Sequence, residues 1–132
     1  MGLEENKSLV RRFYQEAINQ RDRSACERLL TEDFTHDDQL KGRAGQQQAV
    51  DAFLDAFSDL HNEILILVAE GDLVAAHQNW TGTHDGEFIG IPATNRRVSF
   101  TSTAIIRLEG ELIAAAWDEV DLLGLTTQLK SD

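Results

Sequence analysis

The chain is poor in the residues that brace or punctuate small folds: one cysteine, one proline and one methionine in 132 residues. A lone Cys26 can form no disulfide within the chain and no cysteine-based zinc site. Basic residues are also scarce. Lys plus Arg number 12 against 23 Asp plus Glu, a net charge of −11. Such a chain repels phosphate backbones and anionic lipid, so neither nucleic acid nor a membrane surface is an expected partner. There is no run of ~18 apolar residues and hence no expected membrane span. The longest apolar run, residues 64–69, has the length of a strand. Residues 1–7 are polar, with no apolar stretch behind a basic start, so the expectation is a cytoplasmic protein with a reduced thiol. No Gly-x-Ser-x-Gly elbow, Gly-x-Gly-x-x-Gly turn or phosphate loop occurs, which removes the usual signatures of nucleophilic serine and tight nucleotide sites.

What is present suits one globular domain over residues 1–132. Hydrophobic residues make up 42% and charged residues 27%, ordinary proportions for a folded chain. A domain of this length buries roughly two-thirds of its unfolded surface without disulfides.

Leu9, Val10, Phe13, Tyr14, Ala17 and Ile18 recur at helical spacing, which predicts an amphipathic helix over residues 4–19. A short second helix follows residues 22–24 and carries Cys26, Leu29 and Leu30 on one stripe. Residues 33–40 read as irregular and acidic. Val50, Phe53, Leu54 and Phe57 mark a third helix over residues 46–60. The pattern then turns to strands at residues 61–70, 73–83, 97–108 and 112–121, broken by Gly71-Asp72, a loop at 85–95 and Glu109-Gly110. Residues 122–129 form a short closing helix or an extended tail. Helices first and an antiparallel meander second is α+β order, not the alternation of a doubly wound nucleotide fold. A curved antiparallel sheet wrapped around the N-terminal helices leaves a concave hollow, a natural pocket for a hydrophobic small molecule.

Three segments carry a family resemblance. Trp80-Thr81-Gly82-Thr83-His84-Asp85-Gly86-Glu87-Phe88-Ile89-Gly90-Ile91-Pro92 resembles the GTH-x-GEF-x-GIPP segment of SnoaL-like proteins. Residues 117–129, from Trp117 through Asp121, Gly124 and Leu125 to Gln128 and Leu129, are similar to that family's C-terminal ending. Asp33-Phe34-Thr35-His36-Asp37 resembles its DFV-x-HD segment. The chain departs at Ala93 and Asn95 in the loop, and at Ala115-Ala116, where many relatives have Glu-His. The resemblance implies the α+β cone of the nuclear transport factor 2-like superfamily. It also implies a polyketide cyclase, closing a ring by intramolecular aldol condensation without metal or cofactor, or a hydroxylase-type relative. Epoxide hydrolysis and plain ligand binding are the other uses of such a cone.

Aldol closure needs a base beside a carbon flanked by carbonyls, and donors where the enolate oxygen develops charge. A carboxylate in a dry pocket suits the first role, since desolvation raises its pKa. Two candidates remain open. Strand alternation puts Asp118 on an apolar face with Leu112, Ala114, Ala116 and Val120, whereas the resemblance points to Asp121. His36 is the first histidine candidate, matching the family's pocket-side position. His77 lines either the pocket or a dimer face, Asn79 matters if its strand face points inward, and His84 lies in a turn. Trp80, Trp117, Tyr14, Phe53 and Phe57 are core aromatics that can double as pocket wall. No metal is expected, because the ligand types in His36-Asp37-Asp38 are contiguous and point apart. The unalternating run Ile64-Leu65-Ile66-Leu67-Val68 needs cover on both faces, and helices can cover only one. A homodimer through the sheets is therefore expected.

Overall fold

The computed structural model describes residues 2–130. Helix α1 (Leu3–Tyr14) has Glu4 and Glu5 in its first turn and Arg11 and Arg12 in its last, charges that complement the helix dipole. It runs into a π-helical turn, Gln15–Asn19, rather than continuing as α-helix. The wider turn still points Ala17 and Ile18 inward. It also brings Asn19 to the start of strand β3, where its side chain bonds Asn62 in both directions: Nδ2 donates to Asn62 O at 3.0 Å, and Asn62 N donates to Oδ1 at 2.8 Å. Helix α2 (Ala25–Leu29) is one short turn. Helix α3 (Gly42–Ala56) starts four residues earlier than the apolar periodicity alone indicates.

The remaining elements are β1 (Leu30–His36), β2 (Gln39–Leu40), β3 (His61–Glu70), β4 (Leu73–Thr83), β5 (Arg97–Glu109), β6 (Leu112–Val120) and α4 (Leu122–Lys130). They form one mixed sheet in the order β2-β1-β6-β5-β4-β3. The meander β3 to β6 is antiparallel, as the sequence indicates. The correction lies at residues 33–40, which are not irregular. Strand β1 runs parallel to β6, and β2 folds back on it. The α+β cone therefore has a six-stranded mixed sheet in place of four antiparallel strands.

Along β5, Val98, Phe100, Ser102, Ala104, Ile106 and Leu108 are buried against the helices, while Ser99, Thr103 and Ile105 face out. Two bulges alter simple alternation. The first, between Ile64 and Ile66, turns Leu65, Ile66 and Val68 outward, 50 to 57% exposed in the single chain. The second lies in β6, where Ile113 pairs with Leu108 and Ala115 with Arg107. It shifts the parity, so Ile113 rather than Leu112 joins Ala116, Asp118 and Val120 on the concave face.

The loop between β4 and β5 folds onto the end of α3. Phe88 packs on Phe53 and Phe57. Gly86 passes so close to the α3 backbone that a Cβ there would lie 2.1 Å from Asp55 O. No described helix is long and apolar enough to cross a membrane.

Candidate active site

A cavity of about 120 Å³ lies between α1, α3 and the concave face of β4, β5 and β6. Its wall is mostly apolar, from Phe13, Phe34, Phe53, Phe100, Ile106 and Ile113 among others. The polar members are Tyr14, His36, Gln46, Trp80 and Asp118. Among the described residues, Asp118 is its one carboxylate, and no Lys or Arg lines it.

Asp118 sits opposite Ala104 on β5, facing the cavity. Its Oδ1 is buried with no hydrogen-bond partner among the described residues. Burial pushes its carboxyl up to about 6. The neighbouring His36 opposes that rise, and the carboxylates of Asp37 and Glu119 add to it. His36, at the end of β1, reaches the cavity from the strand parallel to β6. Its Nδ1 is 3.0 Å from Gln46 Oε1 on α3, and its Nε2 lies 3.7 Å from Asp37 Oδ2. With Nδ1–H donating to the amide oxygen, the neutral ring keeps its lone pair on Nε2.

Tyr14 is buried, which pushes its phenol above the ordinary range, and Asp118 adds to the rise. Behind it runs a buried polar network. Asn62 Nδ2 donates to Gln78 Oε1 at 2.8 Å, and Gln78 bonds Tyr14. Gln78 Nε2 and Trp80 Nε1 both donate to Ser102 Oγ, at 3.4 and 2.8 Å. Trp80 stacks on Phe100 at 6.1 Å and meets Tyr14 edge-on at 6.0 Å. These bonds fix the aromatic wall in one arrangement.

The other sequence candidates lie elsewhere. Asp121 is exposed and precedes α4, where its Oδ1 accepts the backbone N–H of Gly124 at 2.9 Å; it is the helix cap. His77 and Asn79 are on the outer face of the sheet, bonded to Thr103 and Ser99. Trp117 is also on that face, and its indole donates to Asp38 Oδ1 at 2.9 Å. His84 is fully buried outside the cavity, where Thr94 N donates to its Nδ1 at 3.2 Å and ties down the β4–β5 loop. Phe57 is buried core against His84, Phe88 and Phe100. Cys26 is buried, its thiol pushed up to about 12 by desolvation.

Gln46 is the polar cavity residue that the sequence placed only at the start of a helix and not in a site. The signal for it was helical spacing, because it stands four residues before Val50 and seven before Phe53. Among the described residues, no group of three or more His, Cys, Asp and Glu is arranged to hold a metal ion.

TsrD from Streptomyces laurentii is 31% identical to this chain, with 98% of each chain covered and a TM-score of 0.89. AclR, a candidate hydroxylase from Streptomyces galilaeus, is 28% identical, with 97% of each covered and a TM-score of 0.87. IdmH, a candidate polyketide cyclase from Streptomyces antibioticus, shares the fold at 24% identity. It covers 96% of this chain and 99% of its own, with a TM-score of 0.83. No curated protein matches. The family of SnoaL-like polyketide cyclases matches residues 8–129, a span that takes in every strand and the whole cavity wall. The chain therefore belongs to the SnoaL-like polyketide cyclase family.

Proposed function

We propose that the protein is an acid/base catalyst that needs no cofactor, with Asp118 as the base that removes a proton α to a carbonyl. The observation that carries this reading is the half-buried Asp118 carboxyl, with an unpartnered oxygen in an apolar cavity and a pKa near 6. At pH 7 such a group is mostly ionised and is a stronger base than an exposed aspartate.

Asp118 takes the proton, and the C–H electron pair moves into an enolate. The Tyr14 hydroxyl is a donor in reach of the cavity that can stabilise its oxygen, while His36, its Nδ1–H held by Gln46, presents an acceptor at Nε2. The enolate carbon then attacks a second carbonyl of the same molecule and forms the ring C–C bond. The resulting alkoxide recovers a proton from Asp118, which returns to its starting state.

The substrate is neutral where it enters the cavity, since an anionic group there would face Asp118 with no Lys or Arg among the described lining residues. A cavity of about 120 Å³ holds roughly one ring, on the scale of a ~150 Å³ cavity that takes benzene. A larger polyketide would insert one ring and leave the rest toward solvent. An epoxide-opening reaction through two carboxylates has less support. Arg97 and Arg107 alternate with the buried face of β5 and so lie away from the cavity. We also propose a homodimer through the outer sheet face, on the strength of its exposed Ile66, Val68 and Ile105.

The test is deuterium exchange from D₂O into neutral aromatic ketones of one to three rings, followed by NMR. Enzyme-dependent exchange at the α carbon supports proton abstraction; no exchange above the buffer rate across the set contradicts it. The likeness to AclR keeps a hydroxylase reading alive. Oxygen uptake with these compounds, without α-exchange, would decide for that reading.

A further inference from the structure

Two successive residues at the end of β1, Asp37 and Asp38, adopt left-handed backbone with φ of 50° and 66°. Glycine would sit there with less strain, although Asp tolerates the region. Neither carboxylate serves its own turn. Asp37 Oδ1 accepts the backbone N–H of Asp118 at 3.0 Å, and Asp38 Oδ1 accepts the indole N–H of Trp117. Both bonds reach from the turn after β1 to the end of β6.

The reason lies in the sheet. The parallel pairing of β1 with β6 ends at His36 opposite Ala116, with Asp37 N donating to Ala116 O at 2.9 Å. Beyond that point β1 turns away into β2. No carbonyl of β1 remains opposite Asp118, and the Asp37 side chain supplies the missing acceptor. The other oxygen of the same carboxylate faces His36 Nε2 at 3.7 Å.

We infer that Asp37 is a positioning residue: its carboxylate replaces the ended ladder and holds Asp118 with its carboxyl turned into the cavity, beside His36. The inference rests on the reading of Asp118 as the base, but its test needs no turnover. The titratable or charged groups around Asp118 are His36 and Asp37 from β1 and its turn, Glu119 on its own strand and Tyr14 from α1. Helix α3 and strand β5 face the cavity with Gln46, Ala104 and apolar side chains.

The experiment follows the Asp118 carboxyl and amide by NMR in wild type, Asp37→Gly and Asp37→Asn. Glycine removes the carboxylate and suits the left-handed backbone, so a residue kept only for the turn would be replaced with no loss of thermal stability and no change at Asp118. Asparagine keeps an acceptor oxygen and removes the charge. Expected in Asp37→Gly is a fall of the Asp118 midpoint from about 6 toward 3.8, with faster exchange of its amide. In Asp37→Asn the amide stays protected and the midpoint falls less. An Asp118 midpoint that stays near 6 in Asp37→Gly overturns the inference. So does an equal fall in both variants with the amide protected, since charge alone would then be acting. A measurement on the wild type stands beside the variants: the Asp118 amide, bonded to Asp37 Oδ1, should be protected from solvent exchange, and exchange at the rate of an exposed amide also overturns the inference. Failure of all three proteins, wild type included, to exchange deuterium into ketones would bear on the base, not on Asp37.

Discussion

The two aspartates of the last strand and its exit are three residues apart and have opposite fates. Asp118 is turned into the cavity, whereas Asp121 caps α4 through the N–H of Gly124. A Cβ at Gly124 would lie 2.2 Å from Asp121 Oδ2, so a larger residue there would make the capping carboxylate shift. Asp121→Ala should cost about 1 kcal/mol of stability, the usual worth of a helix cap, and leave the rate unchanged. Thermal melts alongside an exchange assay check both halves. Asp118 should behave in the opposite way. Its carboxyl holds its proton to about 6 in the fold and to about 3.8 unfolded, so the folded state binds more protons between those values. Stability from this group is therefore present at low pH and lost as pH rises from about 3.8 to about 6. Asp118→Asn escapes that loss. Its stability relative to wild type should grow by about 2 kcal/mol between pH 4 and pH 7. Denaturant unfolding at the two pH values measures it, and a constant difference would mean that Asp118 is not buried as a charge.

At the scale of elements, the strands with long β-branched or alternating runs were legible in the sequence, β4 and β5 almost to the residue. Strand β1 was not, because Thr31-Glu32-Asp33 carries little local β signal. Its partner β6 is some eighty residues away, and only that pairing makes it a strand. The site was legible in part for a similar reason. Alternation along β6 placed Asp118 with Ala116 and Val120, and those residues do share the concave face. The bulge at Ile113–Ala115 that breaks the alternation further up depends on the register with β5 and leaves no mark in composition. Family resemblance drew attention to Asp121 because a capping aspartate and a cavity aspartate look alike in one dimension. The π-helical turn was equally hidden. It is held by the paired bonds of Asn19 to Asn62, so Asn19→Ala should cost about 1–2 kcal/mol and loosen the entry to β3. Amide exchange at Asn62 would show the local effect, and an unchanged rate would mean the turn is fixed by Ala17 and Ile18 alone.

For the whole molecule, the helices cover one face of the sheet and leave the other bare. Ile66, Val68, Leu73 and Ile105 stand exposed there among Asn79, Trp117 and His77, the last being the residue that sequence alone assigned either to the pocket or to a dimer face. Light scattering should give twice 14.8 kDa at micromolar concentration, and Ile105→Glu should return the mass of one chain. A wild-type monomer would contradict the dimer without touching the cavity. The account as a whole turns on which carboxylate does the chemistry. The most direct measurement is the rate of α-deuterium exchange into a ketone accepted by the wild type, compared among wild type, Asp118→Asn and Asp121→Asn. The account predicts a fall of about 10²–10⁴ for Asp118→Asn, the scale of a lost general base, and a near wild-type rate for Asp121→Asn. Exchange by Asp118→Asn at the wild-type rate would contradict it.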